Sequence, residues 1–380
     1  MHIVILPSWF RLKSNITNGS FFMEQAVAVK KAGHDVTLID AHIVPSRIFF
    51  GKERTFGVRH FTENGVDMYV HQSPTLFVGR NARLTVDAYK RKVERLLKKM
   101  MKTKKVDVLH AHSFFPAGIA AHELGKKYGI PVVVTEHSTS LIKDWLGIPH
   151  VYDYVKPTFD GVQGVCVTDY FCDLLYEKYG LCKRPVMIGN VLSPLFKYKE
   201  PVKNDVFTFT MCARLLPKKR TEHVITAVSM LKERGIDVKV NIVGDGPLGE
   251  NLKAQAKELC VTDRVVFHGN VSREDVYRLV CESDALTHAS ITETFGVVYI
   301  EALAAGRPVV SAKNGGSCEL INDKNGILCE PDDARALADA MEQMINEYAR
   351  FDLRGISDDI IAKYGEKSIG EQYSELYKNL

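Results

Sequence analysis

Residues 285–311 read ALTHASITETFGVVYIEALAAGRPVVS, and their pattern decides the fold. Ala285-Leu286-Thr287 is a short apolar run, the stretch from Val297 is apolar at helical spacing, and Pro308-Val309-Val310-Ser311 is a second β-branched run. Strand, helix and strand in so short a span make one crossover unit of a parallel sheet. The same alternation recurs outward in both directions. Strands are expected at 207–212, 238–243 and 265–268 before it, and at 326–328 after it. In the N-terminal half they are expected at 2–6, 35–39, 106–109, 132–135, 161–165 and 185–188. The fold class is therefore α/β, with two Rossmann-like doubly wound domains facing across a cleft.

The length of 380 residues agrees, because one domain usually takes ~100–200. The Pro-punctuated polar stretch from Asn190 through Ser193-Pro194 to Glu200-Pro201 reads as the connection. The expected organisation is a first domain over 1–190, a linker over 191–204, a second domain over 205–359 and a C-terminal helix over 360–380.

Chemistry is sought at the carboxyl edges of the strands, where open α/β sheets bind ligands. Glu293-Thr294-Phe295-Gly296-Val297 stands at the mouth of a helix. The amides of Thr294, Phe295 and Gly296 are expected to be the unpaired donors of its first turn, suited to a diphosphate. Glu301 lies seven residues beyond Thr294, about two turns or roughly 10 Å along the same face. That reach would let Glu301 hold a ribose while Glu293 meets a transferred sugar. The plainer alternative is a solvated glutamate and one that serves the helix dipole. Arg214-Leu215-Leu216-Pro217-Lys218-Lys219-Arg220 follows the strand at 207–212, and Arg214 and Lys219 could neutralise a leaving diphosphate without metal. The alternative there is a surface loop.

Gly244-Asp245-Gly246-Pro247-Leu248-Gly249 matches G-x-G-x-x-G, but it follows its domain's second strand and contains Pro247. It is read as a tight turn with close backbone approach rather than an NAD site. Asn314-Gly315-Gly316-Ser317 is either a phosphate-side turn or a plain one. In the first domain, Asn18-Gly19-Ser20-Phe21 opens a helix. His110-Ala111-His112 ends a strand with both rings on one side, one expected buried and one functional, and Glu136-His137-Ser138 ends the next.

Hydrophobic content of 46% and charged content of 25% fit an ordinary soluble globular chain, and a net charge of +4 gives no reason to expect nucleic acid. All eight cysteines fall between Cys166 and Cys329 without C-x-x-C or zinc spacing, as expected of reduced thiols in a cytoplasmic protein. Met1 to Leu6 stops at Pro7 and reads as a buried strand, not a signal peptide. The absence of any Asp-x-Asp pair argues against a metal cofactor, and no Walker loop or serine elbow occurs.

Taken together these stretches resemble the family 4 glycosyltransferases, retaining enzymes of the GT-B type. The resemblance rests on Asn18-Gly19-Ser20 with Gly33-His34-Asp35-Val36, His110-Ala111-His112 with Pro116-Ala117-Gly118, and Glu136-His137. It continues through Ala213-Arg214-Leu215 with Lys219, Gly244-Asp245-Gly246-Pro247, and Glu293 through Glu301. It implies that Arg214 and Lys219 grip the diphosphate, Glu301 the ribose and Glu293 the sugar, while Thr294 to Val297 present amides. Gly19 would lie near the phosphates and His112 beside the reacting carbon. The donor implied is a UDP-sugar first and GDP-mannose next, with no metal or other cofactor, and transfer of a hexose or N-acetylhexosamine. The C-terminal helix is expected to return to the first domain. Two departures stand out. Ala213 and Arg220 replace frequent glycines, and Asn18-Gly19 replaces a glycine pair.

Acceptor recognition is expected of the first domain, around the basic and aromatic segment from Ser46 to Arg54. The acceptor classes are a glycan, a lipid-linked molecule or a small molecule. The basic stretch near 89–105 is compatible with peripheral contact at an anionic membrane face, or with a solvated helix surface. A sugar-nucleotide epimerase of similar fold and a non-catalytic binding protein are the alternatives.

Overall fold

The computed structural model describes residues 1–11, 19–46, 50, 57–75, 81–143 and 147–380. The chain folds as two compact units, one of Met1–Val191 with Glu366–Leu380 and one of Leu192–Gly365.

The first unit holds β1 (His2–Pro7), β2 (Asp35–Asp40), β3 (Ile43–Pro45), β4 (Arg59–Glu63), β5 (Val66–Val70), β6 (Ser73–Thr75), β7 (Val108–His112), β8 (Val132–Glu136), β9 (Gln163–Cys166) and β10 (Val186–Met187). Its main sheet runs β10-β9-β8-β7-β1-β2-β5-β4, while β3 and β6 pair separately. All main-sheet pairs are parallel except β4 with β5. β3 to β6 are four strands that the reading of the sequence did not anticipate. The β4–β5 hairpin turns on Asn64-Gly65, both at positive φ (50° and 77°), the backbone that a two-residue hairpin needs. The Asn-Gly pair signalled it. β4 hides because it is an exposed edge strand with no apolar alternation.

The second unit holds β11 (Phe207–Cys212), β12 (Val238–Val243), β13 (Val265–Gly269), β14 (Ala285–His288), β15 (Val309–Ala312) and β16 (Gly326–Cys329). The order is β13-β12-β11-β14-β15-β16, parallel throughout. Counted within the unit this is 3-2-1-4-5-6, the doubly wound order. The winding reverses between β11 and β14 here and between β1 and β7 in the first unit. Loops that leave these strand ends diverge to opposite faces and leave a crevice.

Two expected boundaries are corrected. The stretch 191–204 is not a loose linker, because from Leu192 on it belongs to the second unit. Leu192 donates to the Tyr364 carbonyl (2.8 Å), Phe196 is buried, and the fully buried Arg307 donates to the Lys199 carbonyl (2.9 Å). The stretch 360–380 is not one helix. Leu353–Tyr364 stays with the second unit, extended backbone at Gly365 (φ −64°, ψ 160°) breaks it, and Glu366–Lys378 belongs to the first. That last helix lies against helix Ser20–Lys31 and buries Ile369, Tyr373 and Tyr377. Among the described residues no helix is long and apolar enough to cross a membrane.

Candidate functional site

In the second unit the loops leaving β11, β12, β14 and β15 meet at the crevice. Leu215 N donates to the Asp245 carbonyl (3.0 Å), Ile291 N to the Lys218 carbonyl (3.1 Å) and Gly316 N to the Glu293 carbonyl (3.0 Å). Gly244, at φ 124°, follows β12, and a Cβ there would stand 2.0 Å from the Ala213 carbonyl oxygen. The glycine turn thus serves close packing of two loops. Asn314 fastens the rest. Its amide donates to the Ser290 carbonyl (3.0 Å), the Tyr299 hydroxyl (3.2 Å) and the Ala312 carbonyl (3.1 Å), and its oxygen caps helix Gly315–Leu320 by accepting from Ser317 N. This clamping role of Asn314 was not read from the sequence, although Asn-x-x-Ser is a capping pattern.

The helix that carries Glu301 spans Val297–Ala304, three residues later than expected. Gly296 is its cap residue at φ 85°, and a Cβ on it would lie 2.4 Å from the Tyr299 ring. Phe295 is buried against Tyr364. Tyr299 N already donates to the Gly296 carbonyl (2.9 Å), so the first-turn amides are those of Val297 and Val298 rather than those of Thr294 to Gly296. Glu301 stands one turn into the helix instead of two. The left-handed cap uses up the residues that the pattern assigned to the first turn.

The Lys219 ammonium is paired with the Glu293 carboxylate, and both side chains are largely buried. Burial pushes the Glu293 carboxyl up, but the charge of Lys219 more than offsets it and holds the group below its ordinary value. His288, at the end of β14, accepts from Ser290 N at Nδ1 (3.3 Å), and burial, aided by Lys219, draws its pKa down to about 4. No motif had marked His288. Arg214 is exposed and, among the described residues, its side chain makes no ion pair. Arg220 is bound to Asp332 (2.6 Å), so the four cations of this loop are not equivalent. Glu301 is buried and ion-paired with Arg273, whose guanidinium stands 2.8 Å from Oε1 and which no motif had marked. Among the described residues, the loops and helix at this crevice carry the exposed Arg214, the buried Lys219–Glu293 pair and Glu301 ion-paired with Arg273, a set suited to a diphosphate and to hydroxyls.

In the first unit, Pro7 and His112 are register partners at the reversal between β1 and β7. His110 and His112 share a side, as expected, and stack at 4.6 Å; both are fully buried, so burial does not tell the two rings apart. Phe22, one turn into the first helix, covers His112 at 4.7 Å. His112 Nδ1 meets His137 Nε2 (3.0 Å), while His110 meets the Tyr377 hydroxyl (2.6 Å) and Thr135 Oγ1 (2.8 Å). Burial draws His110 and His137 down to about 3, so all three rings are neutral near pH 7. Glu136 accepts from the amides of Phe114, His137 and Ser138 (2.6, 2.9 and 2.6 Å) and shapes the loop. Beside it lies a pocket of about 210 Å³ lined by Trp9, Phe114, Phe115, Ser138, Ser140 and Leu141. Gly19 precedes the first helix at φ 72°. Asn18 and most of the segment from Ser46 to Arg54 lie outside the described residues.

Residues 19–192 match the family described as Glycosyltransferase Family 4, and residues 194–367 match Glycosyl transferases group 1. Among curated proteins the chain is 25% identical to N-acetyl-alpha-D-glucosaminyl L-malate synthase of Bacillus anthracis, over 91% of this chain and 89% of that one. It is 23% identical to the phosphatidylinositol N-acetylglucosaminyltransferase GPI3 subunit of Saccharomyces cerevisiae, over 92% and 76%. Among solved structures it is similar to sucrose-phosphate synthase from Thermosynechococcus elongatus (TM-score 0.77, 17% identity, 100% and 99% covered). It is equally similar in fold to Anabaena Alr3699/HepE in complex with UDP and glucose (TM-score 0.76, 18% identity, both chains fully covered).

Proposed function

Since the chain belongs to the family 4 type of GT-B glycosyltransferases, we propose that it moves a hexose or N-acetylhexosamine from a nucleoside diphosphate sugar to an acceptor hydroxyl with retention of configuration. A UDP-sugar is the first choice of donor and GDP-mannose the second. The observation that carries this reading is the buried Lys219–Glu293 pair at the winding reversal of the second unit, with Arg214 on the loop after β11 and Glu301 on the helix after β14. Arg214 and Lys219 neutralise the diphosphate, so no metal is required. The Val297 and Val298 amides face an anion at the helix mouth, and Glu301 accepts the ribose hydroxyls. As the sugar–phosphate bond breaks, the leaving phosphate takes the acceptor's proton, and the acceptor oxygen bonds the anomeric carbon on the same face.

The first unit takes the acceptor. Its pocket beside Trp9 and Ser138 is of a size for one sugar ring or a similar group. The names of the relatives span a lipid and a small acid, which supports lipid-linked and small-molecule acceptors as well as glycans. The test is calorimetric titration of UDP, GDP and NAD without metal, repeated with Glu301→Ala and Arg214→Ala. One diphosphate should bind, and each substitution should weaken it about tenfold or more, which is ~1.4 kcal/mol. If neither diphosphate binds, or if NAD alone does, the donor site is elsewhere. Donor cleavage that ignores the acceptor would sink the transferase reading.

A further inference from the structure

Strand β4 stands at one end of the first unit's main sheet, and among the described residues it pairs only with β5. Glu63 faces Val66, Phe61 faces Met68 and Arg59 faces Val70. The pair that flanks a two-residue turn exchanges both of its hydrogen bonds, and the pattern alternates from there. The backbone groups of Arg59, Phe61 and Glu63 are therefore turned toward β5, while the N–H and C=O of His60 and Thr62 point away from the sheet. Such an outward row is a template for another strand. Arg59, Phe61 and Glu63 project to the face on which Val66, Met68 and Val70 are buried, yet Phe61 is 41% exposed. On the opposite face His60 is already engaged within the chain, stacked on Tyr69 at 4.2 Å and bonded to Asp67 Oδ1 (2.6 Å).

The sequence Arg59-His60-Phe61-Thr62-Glu63 is complementary to itself when reversed. Laid antiparallel against a copy with Phe61 opposite Phe61, it puts His60 opposite Thr62, so that their outward backbone groups meet, and Arg59 opposite Glu63. A slip of two residues in either direction keeps the backbone bonds but sets Arg59 or Glu63 against Phe61 and unmatches the charges. Charges that only kept strands apart would share one sign, whereas opposite signs at equal distances from a central aromatic attract a copy. Glu63 already accepts from Arg11 (2.5 Å), and a carboxylate has lone pairs for a second guanidinium.

We infer that β4 is a docking edge for a second copy of this chain, in a two-fold dimer whose main sheets continue across the β4–β4 seam. The contact is isologous, with Phe61 at the axis, an Arg59–Glu63 pair at each end and backbone bonds between His60 of one copy and Thr62 of the other. One short strand from each copy makes a seam below the standard interface size, so association is reversible and follows concentration. The inference is independent of the donor site.

The experiment is sedimentation velocity of the full chain over about two decades of concentration, repeated with R59E, with E63R and with an equimolar mixture of these two variants. The wild type should pass from monomer to dimer, less readily in high salt. Each single variant sets like charges against each other at both ends of the seam and should weaken association about tenfold or more. The mixture should recover it, because the acidic strand of one variant then meets the basic strand of the other. F61K places two cations at the axis without disturbing the Arg11–Glu63 pair and should also give a monomer, which guards against a charge variant that loses its fold. A wild type that stays monomeric throughout, a dimer indifferent to R59E and F61K, or a mixture no better than its parts overturns the inference.

Discussion

Glu293 and Lys219 are each buried enough that either alone would be an uncompensated charge. Lys219→Met should therefore destabilise the second unit by ~3–5 kcal/mol, while Lys219→Met with Glu293→Gln should recover much of that and still not transfer sugar. Chemical denaturation followed by circular dichroism, paired with a donor-cleavage assay, checks both halves. Because the folded Glu293 carboxyl titrates below its unfolded value near 4.5, its stabilisation is present above that pH and is lost as the pH falls through the folded value. The histidines act in the opposite sense at milder acidity. His110 and His137 are held down to about 3, against about 6.5 unfolded, so between these limits the unfolded chain binds more protons. Stability of the first unit should fall as the pH drops below about 6.5, by up to ~1.4 kcal/mol per pH unit per ring. Both tryptophans, at positions 9 and 145, belong to the first unit's stretch of chain, so their fluorescence in urea titrations reports it selectively. A midpoint unchanged between about pH 7 and about pH 5 would contradict this, and His110→Gln should flatten the slope.

At the scale of elements, the helix Val297–Ala304 owes its entry angle to Gly296. Gly296→Ala combines a left-handed backbone with a collision at the Tyr299 ring and should cost ~1–3 kcal/mol. Donor affinity should fall with it, because the Val297 and Val298 amides are re-aimed. Nucleotide titration and thermal melting together test this, and unchanged affinity would remove the helix mouth from the site. The helix Glu366–Lys378 belongs with the first unit, through Tyr377 on His110 and Tyr373 on Thr135 (3.2 Å). Tyr377→Phe leaves a buried His110 nitrogen without its partner and should cost ~1–3 kcal/mol, visible in the tryptophan signal. Most strands of both sheets were legible because their apolar runs are imposed by burial. β4 was not, since its one exposed face and edge position impose no pattern, and the start of the Glu301 helix was not, since a left-handed cap leaves no mark in hydrophobicity.

For the whole molecule, the net charge of +4 conceals local pairing. On helix Ala82–Met100, Arg83 and Lys90 are bound to Glu123 (2.6 and 2.5 Å), and Lys98 and Lys127 share Glu94 (3.4 and 2.7 Å). The basic run that suggested a membrane face is thus partly neutralised by the neighbouring helix. Peripheral membrane contact is a proposal that rests on the remaining exposed cations of this helix, Arg91, Arg95 and Lys99, since Lys92 is half-buried. Their reversal to glutamate should abolish sedimentation with anionic vesicles without altering nucleotide affinity, and sedimentation that is absent in the wild type would end that proposal. The sequence by itself determined the α/β class, the two doubly wound sheets, the family resemblance and that Arg214, Lys219, Glu293 and Glu301 fall at strand ends or helix starts of the second unit. These follow from burial periodicity and from motifs contiguous in the chain. Only the tertiary structure decided that Lys219 is already paired with Glu293, that Arg273 is ion-paired with Glu301, that His288 joins Lys219 and Glu293, and that His112 lies beneath Phe22. Each of these depends on residues far apart in the chain that meet at strand ends, and a pattern read along one strand or one helix carries no information about which partner stands across the sheet.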